Sequence, residues 1–155
     1  MKKILMLCLM PVLLGRAVAG TAYTEVDYQV FRMSPESCAG KNITYTVPFI
    51  RAASTLAPHM ERSGYRGARY VWLLAGDQLI PVLIRKSDET MEQVAAFKSG
   101  DIIRVSGKVR RFSHRPLRTG LSQYFVLADA VEVVAPALTP RPPPRSPPRR
   151  WWPRR

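Results

Sequence analysis

Residues that do covalent or metal chemistry are scarce in this sequence, with two histidines and two cysteines in 155 residues. Cys8, Cys38, His59 and His114 are too scattered to match the close ligand spacing of a zinc or haem site. Neither histidine adjoins a nucleophile in a catalytic motif, so we expect no catalytic residue, no metal, no cofactor and no enzymatic activity. Acidic residues are also few, 11 against 24 Lys+Arg, which leaves a formal charge of +13. Beyond the N-terminus no apolar run approaches the roughly 18 residues of a membrane-spanning helix, which excludes a multi-span helical membrane protein. With 46% hydrophobic residues, the chain nevertheless has the material for one folded domain.

What is present first is a pair of unusual ends. The N-terminus runs Met1-Lys2-Lys3 into an apolar stretch from Ile4 to Leu14, then reaches Ala17-Val18-Ala19 before Gly20. A basic start, a short apolar core and a small-residue site make a secretory signal of bacterial type, cut after Ala19. An uncleaved anchor is the alternative, but the stretch is short and carries Pro11, with Arg16 just after it. The mature protein is therefore expected in the periplasm or outside the cell. Cys8 leaves with the signal, so Cys38 has no internal disulfide partner. It is a partly buried spectator, a reactive thiol or a thiol that links two copies, and with no basic group or histidine adjoining it in sequence the spectator reading is favoured.

From Ala135 to the end the chain has eight prolines, six arginines and two tryptophans but no acid. Proline removes backbone donors and like charges repel, so residues 136–155 cannot build a core and should be disordered or polyproline-like. Arg149, Arg150, Trp151, Trp152, Arg154 and Arg155 have the composition of a membrane- or partner-binding segment, with cations for anionic headgroups and indoles for the interface. The spacing of Pro144 and Pro147 also suits a polyproline-recognising partner.

Without these ends the body keeps fifteen basic residues against all eleven acids. Two-residue periodicity dominates it. Ile43, Tyr45, Val47 and Phe49 share one face of a strand over residues 42–50, with Pro48 marking an edge or bulge. Residues 70–74 and 79–85 form a hairpin around Ala75-Gly76-Asp77-Gln78, with Ile80, Val82 and Ile84 inward and Pro81, Leu83 and Arg85 outward. A helix of about three turns then starts on an Asp88 cap, with Met91, Val94, Ala95 and Phe97 or Lys98 on its packed face, and ends at Ser99-Gly100. Strand periodicity resumes in Ile103, Val105, Gly107 and Val109, and a last strand over residues 124–134 breaks its alternation near Asp129-Ala130, as a bulge does. Before Gly40, a lead-in over residues 20–39 holds a short helix packing Val30, Phe31 and Met33, then a turn at Pro35-Glu36-Ser37.

The order strand, hairpin, helix, strand, strand resembles the OB-fold, a mainly β, five-stranded Greek-key barrel with one helix between strands three and four. Gly40-Lys41-Asn42-Ile43-Thr44 and Gly100-Asp101-Ile102-Ile103-Arg104-Val105-Ser106-Gly107-Lys108-Val109 are similar to stretches of small exported bacterial OB-fold proteins. The resemblance covers residues 40–135. It implies that ligands lie across the second and third strands between the loops joining strands one to two and four to five.

Those loops carry most of the body's positive charge. The first holds Arg62, Arg66 and Arg69 with His59 and Tyr65, opposed only by Glu61. The second holds Arg111, His114, Arg115 and Arg118 with no acid, and Lys108 and Arg110 lead into it. Beside outward Tyr70 and Trp72 they make a candidate site for an extended anion, either single-stranded nucleic acid or an envelope polyanion, with guanidinium forks for phosphates and rings for stacking. In the bland alternative Tyr70 and Trp72 are core residues and the arginines only solvate the loops. The corresponding functional alternative is an envelope interaction or structural module, docked through its tail to a partner or an anionic membrane.

Overall fold

A computed structural model of the chain describes residues 22–116 and 120–137. The N-terminal segment read as a signal, Arg118 and the tail beyond Ala137 lie outside the described residues.

The strands are β1 (Thr24–Glu25), β2 (Asn42–Ala53), β3 (Tyr70–Ala75), β4 (Val82–Arg85), β5 (Ile102–Arg111) and β6 (Tyr124–Ala135). The helices are α1 (Tyr28–Met33), α2 (Pro58–Arg62) and α3 (Asp88–Ala96), with a 3-10 turn over Pro35–Cys38. The sheet order is β1-β2-β3-β4-β6-β5, and β5 returns to pair with β2. This closes a barrel of five strands, β2 to β6. β2 serves both sides of the closure, pairing with β5 over Asn42 to Pro48 and with β3 from Phe49 to Ala53. The register shift between Phe49 and Arg51, next to Pro48, lets one strand bend from one partner to the other.

The barrel interior is built by alternation. Ile43, Tyr45, Val47 and Phe49 of β2 meet Val71, Leu73, Val82, Ile84, Ile103, Val105, Val109, Val126 and Val131 in one buried cluster. A slip of one residue would place every one of the β2 side chains in water, so burial fixes the register. Gly107 sits opposite the bulge in β6, where the register shifts between Ser106 and Gly107 around Asp129.

Several expectations shift in detail. β1 has no counterpart in the sequence reading; it pairs in parallel with β2 at Ile43 and Thr44. In α1 only Phe31 is buried, whereas Val30 and Met33 are 68% and 81% exposed. Tyr28 packs in their place, stacking on Tyr45. The second hairpin arm starts at Val82 rather than Leu79, because Leu79 and Pro81 use their carbonyls on Ser122 N and Val126 N. The cap of α3 is Ser87, which accepts from Thr90 N, and Asp88 occupies the first turn. Of the packed face expected for α3, Val94 is buried and Phe97 half-buried, while Met91 and Ala95 remain exposed.

Candidate functional site

Leu83 and Pro81 are not exposed. Both are buried, and Leu83 is 0% exposed although it points out of the barrel. The reason is a second apolar cluster on the outer face. Leu83, Phe125 and Leu127 rise from β4 and β6, flanked by Tyr70 and Trp72 of β3. The first long loop folds over them with Leu56, Met60 and Tyr65, and the second contributes Phe112 and Leu121. Placing this much apolar surface on a sheet face requires a cover, and at about 1.5–3 kcal/mol per buried side chain the loops gain enough to settle there.

The aromatic rings are largely used on one another. Phe112 and Phe125 stack with centroids 4.1 Å apart, and Tyr65 meets Phe125 at 4.9 Å and Tyr70 at 5.2 Å, both edge-on. Tyr70 and Trp72 are half-buried. Trp72 borders a groove of about 430 Å³ together with Ala57, Asp77, Gln78, Leu79 and Leu121, in which the charged residue is an acid.

The two loops do converge. His59, at the start of α2, meets Phe112 edge-on at 5.0 Å, and the His114 backbone N–H donates to Ser63 Oγ at 3.2 Å. His59 itself is 2% exposed and its Nε2 has no partner among the described residues, so it belongs to the cover rather than to a binding surface. Burial first, then the nearby Arg62 charge, hold its pKa below the ordinary histidine value. On these loops and the strand end that leads into the second, Arg62, Arg66, Arg69, Lys108, Arg110, Arg111, His114 and Arg115 are all exposed. Arg62 Nε donates to Pro58 O and Arg111 donates to Gln123 Oε1, but among the described residues neither has a carboxylate partner. The ion pairs among the described residues, Arg32 with Asp77 and Arg104 with Glu132, lie elsewhere. The remaining loop residue, Arg118, lies outside the described residues, as do the tail residues from Arg149 to Arg155.

Two further cations belong to this surface. The β3–β4 register sets Arg85 opposite Tyr70, and Lys86 Nζ donates to Gly67 O at 2.6 Å, fastening the first loop to the hairpin. The alternation of the second hairpin arm locates Arg85, which follows Leu83 by two. No group of three His, Cys, Asp or Glu suited to a metal occurs among the described residues. Cys38 is half-buried, with Sγ 3.7 Å from Ser37 Oγ. No described helix is long and apolar enough to cross a membrane.

A five-stranded barrel closed by β2 and β5, with parallel β4 and β6 and a helix between β4 and β5, is an OB-fold. Solved structures agree. The chain is similar to part of a protein described as an aspartyl-tRNA synthetase from Leishmania major, with a TM-score of 0.53 and 11% identity over 79% of this chain and 23% of that one. It is similar to the asparaginyl-tRNA synthetase of Entamoeba histolytica at a TM-score of 0.51 and 10% identity, covering 77% of this chain and 25% of that one. The aspartyl-tRNA synthetase of the same organism gives 0.51 at 16% identity, covering 87% and 26%. The chain thus spans about a quarter of each, and at these identities the likeness establishes the fold. No family model matches the chain, and no curated protein is similar to it in sequence.

Proposed function

We propose that this is an exported bacterial OB-fold binding module, without catalysis of its own, that holds an extended anionic ligand along the cationic rim of its two long loops. The observation that carries this reading is the meeting of the two loops at Ser63–His114, with seven exposed Lys and Arg side chains carried on or beside them and none paired to a carboxylate among the described residues. Unpaired guanidinium groups in water pay little desolvation and are free to take phosphates in bidentate fashion. Because the rings of Tyr65, Tyr70, Phe112 and Phe125 are packed against one another, charge rather than stacking supplies most of the affinity. The ligand is then a single-stranded nucleic acid or an envelope polyanion recognised through its phosphates.

Labelled single-stranded DNA titrated into the full chain at low and moderate salt tests this. We expect salt-sensitive binding that weakens when Lys108, Arg110, Arg115 and Arg118 become alanine. Binding lost only on neutralising the six tail arginines would overturn it.

The covered outer face favours a second reading, in which the barrel is a scaffold and the tail docks a partner or an anionic membrane. Each arginine near such a membrane contributes about 1 kcal/mol, with Trp151 and Trp152 at the interface. Flotation with anionic liposomes separates the two, since equal recovery with and without residues 139–155 removes the tail as an anchor.

A further inference from the structure

The two edges of β2 are unequally satisfied. The Thr44 carbonyl accepts from Val26 N at 2.9 Å and the Pro48 carbonyl from Gly76 N at 2.8 Å, so the even-numbered residues point their backbone groups away from β5. β1 reaches no further than Thr44, and β3 pairs only from Phe49 onward. Thr46 lies between them, and among the described residues nothing bonds to its N–H or C=O on that edge. An open groove of about 450 Å³ fills the gap, walled by Glu25, Val26, Asp27, Tyr28, Thr46 and Pro48.

The charge of this groove is opposite to that of the protein. Glu25 is exposed with no ion-pair partner among the described residues. Asp27 uses Oδ1 to cap α1 and keeps its second oxygen. Among the described residues no lysine or arginine lines it.

The chain leaves the barrel close by. Ala137 N donates to Asp101 Oδ1 at 2.7 Å, while the Asp101 carbonyl accepts from Phe49 N at 2.7 Å. From β6 the backbone therefore crosses the end of β5 toward Phe49, the neighbour of Pro48 in the groove wall. Beyond it the sequence continues Leu138-Thr139-Pro140-Arg141-Pro142-Pro143-Pro144-Arg145. At roughly 3.1 Å per residue in a polyproline helix, Arg141 reaches about 12 Å and Arg145 about 25 Å from Ala137.

We propose that residues 140–145 of the chain's own tail dock in this groove. Arg141 and Arg145 pair with Glu25 and Asp27, prolines rest on Tyr28 and Pro48, and a carbonyl of the segment takes the Thr46 N–H. A polyproline helix leaves its carbonyls free for such a bond and prefers an aromatic wall. Docking in cis holds the first two tail arginines on the barrel and leaves the final cluster, Arg149 to Arg155, for other partners. This inference does not depend on the loop rim.

Hydrogen exchange of the Thr46 amide in the full chain, followed by NMR, is the test. We expect protection that falls at least tenfold in the double variant Arg141→Glu, Arg145→Glu, and returns when Glu25→Arg is added. Unchanged exchange of the Val105 amide checks that the barrel is intact in each variant. Equal Thr46 exchange in wild type and double variant overturns the proposal, as does failure of the added Glu25→Arg to restore protection. Protection that rises with protein concentration also overturns it, by assigning the groove to the tail of a second copy.

Discussion

Phe112 lies flat on Phe125, with ring centroids 4.1 Å apart and planes 12° from parallel. The stack sits where β5 gives way to the second long loop, and it is held by Phe112 N donating to Gln123 O and Gln123 Nε2 donating to Phe112 O. Both rings are at most 1% exposed, and His59 and Tyr65 close over them edge-on. Phe112 is thus the point at which the outer cluster ties the two loops to the barrel. Phe112→Ala removes a ring that its neighbours cannot replace, and should cost about 3–5 kcal/mol. Urea unfolding followed by far-UV circular dichroism measures this. A cost below about 1 kcal/mol would mean that the cover contributes little to folding.

Gly107 poses the opposite problem, too little room. A Cβ there would lie 2.3 Å from the Leu127 carbonyl oxygen and 2.7 Å from the Ala128 Cα, both backbone atoms of the partner strand. The bulge in β6 brings that backbone close, and only a residue without a side chain permits it. Gly107→Ala should therefore destabilise by about 1–3 kcal/mol or more, seen as a lower urea midpoint. A neutral result would show that the bulge relaxes freely.

The barrel was legible in the sequence wherever one strand face meets the interior and the other meets water. Ile43 to Phe49 and Ile103 to Val109 alternate cleanly for that reason, and the bulge at Asp129 showed as a break in alternation. The outer cluster was less legible. Val82-Leu83-Ile84 and Phe125-Val126-Leu127 are unbroken apolar runs, the pattern of strands buried on both faces, but the outward direction of Leu83 does not by itself reveal what covers it. The cover comes from Leu56, Met60 and Phe112, residues dispersed in loops where no period exists to reveal them. The basic residues of the candidate site were legible as charge in two loops; the groove that Trp72 shares with Asp77 follows from packing, which a linear sequence does not display. β1 is two residues long, too short to carry a period.

His59 makes the cover sensitive to acid. It is buried with Nε2 unpartnered, and the charges nearest it on its own helix are Arg62, which repels a second cation, and exposed Glu61. From the packed second loop Arg111, His114 and Arg115 add only positive or titratable groups. The folded-state pKa is lowered, so the unfolded chain binds the proton more readily. Stability is then fully present above the ordinary histidine pKa of about 6.5 and is lost as pH falls from there through the folded pKa. Chemical denaturation midpoints across pH 7.5 to 4.5 should decline, and His59→Phe should flatten the histidine part of that decline. An unchanged slope in His59→Phe would place the acid sensitivity elsewhere.

Charge recognition without stacking has a measurable signature. Every cation that neutralises a phosphate releases condensed counterions, so log affinity falls with log salt by about 0.7 per contact on a single strand. Stacked bases add affinity that salt does not touch, about 1–3 kcal/mol each. Since Tyr65, Tyr70 and Phe125 are occupied by one another, nearly all affinity for DNA should vanish as salt rises, and homopolymers of different bases should bind alike. Replacing Lys108, Arg110 and Arg115 by alanine should then reduce the slope by about 2 while leaving the fold intact, because all three side chains are exposed and free of ion pairs among the described residues. Inorganic polyphosphate should compete as well as DNA of equal charge. A residual, base-dependent affinity at high salt would mean that the outer cluster opens to offer its rings, and that the cover formed by α2 is a door rather than a wall.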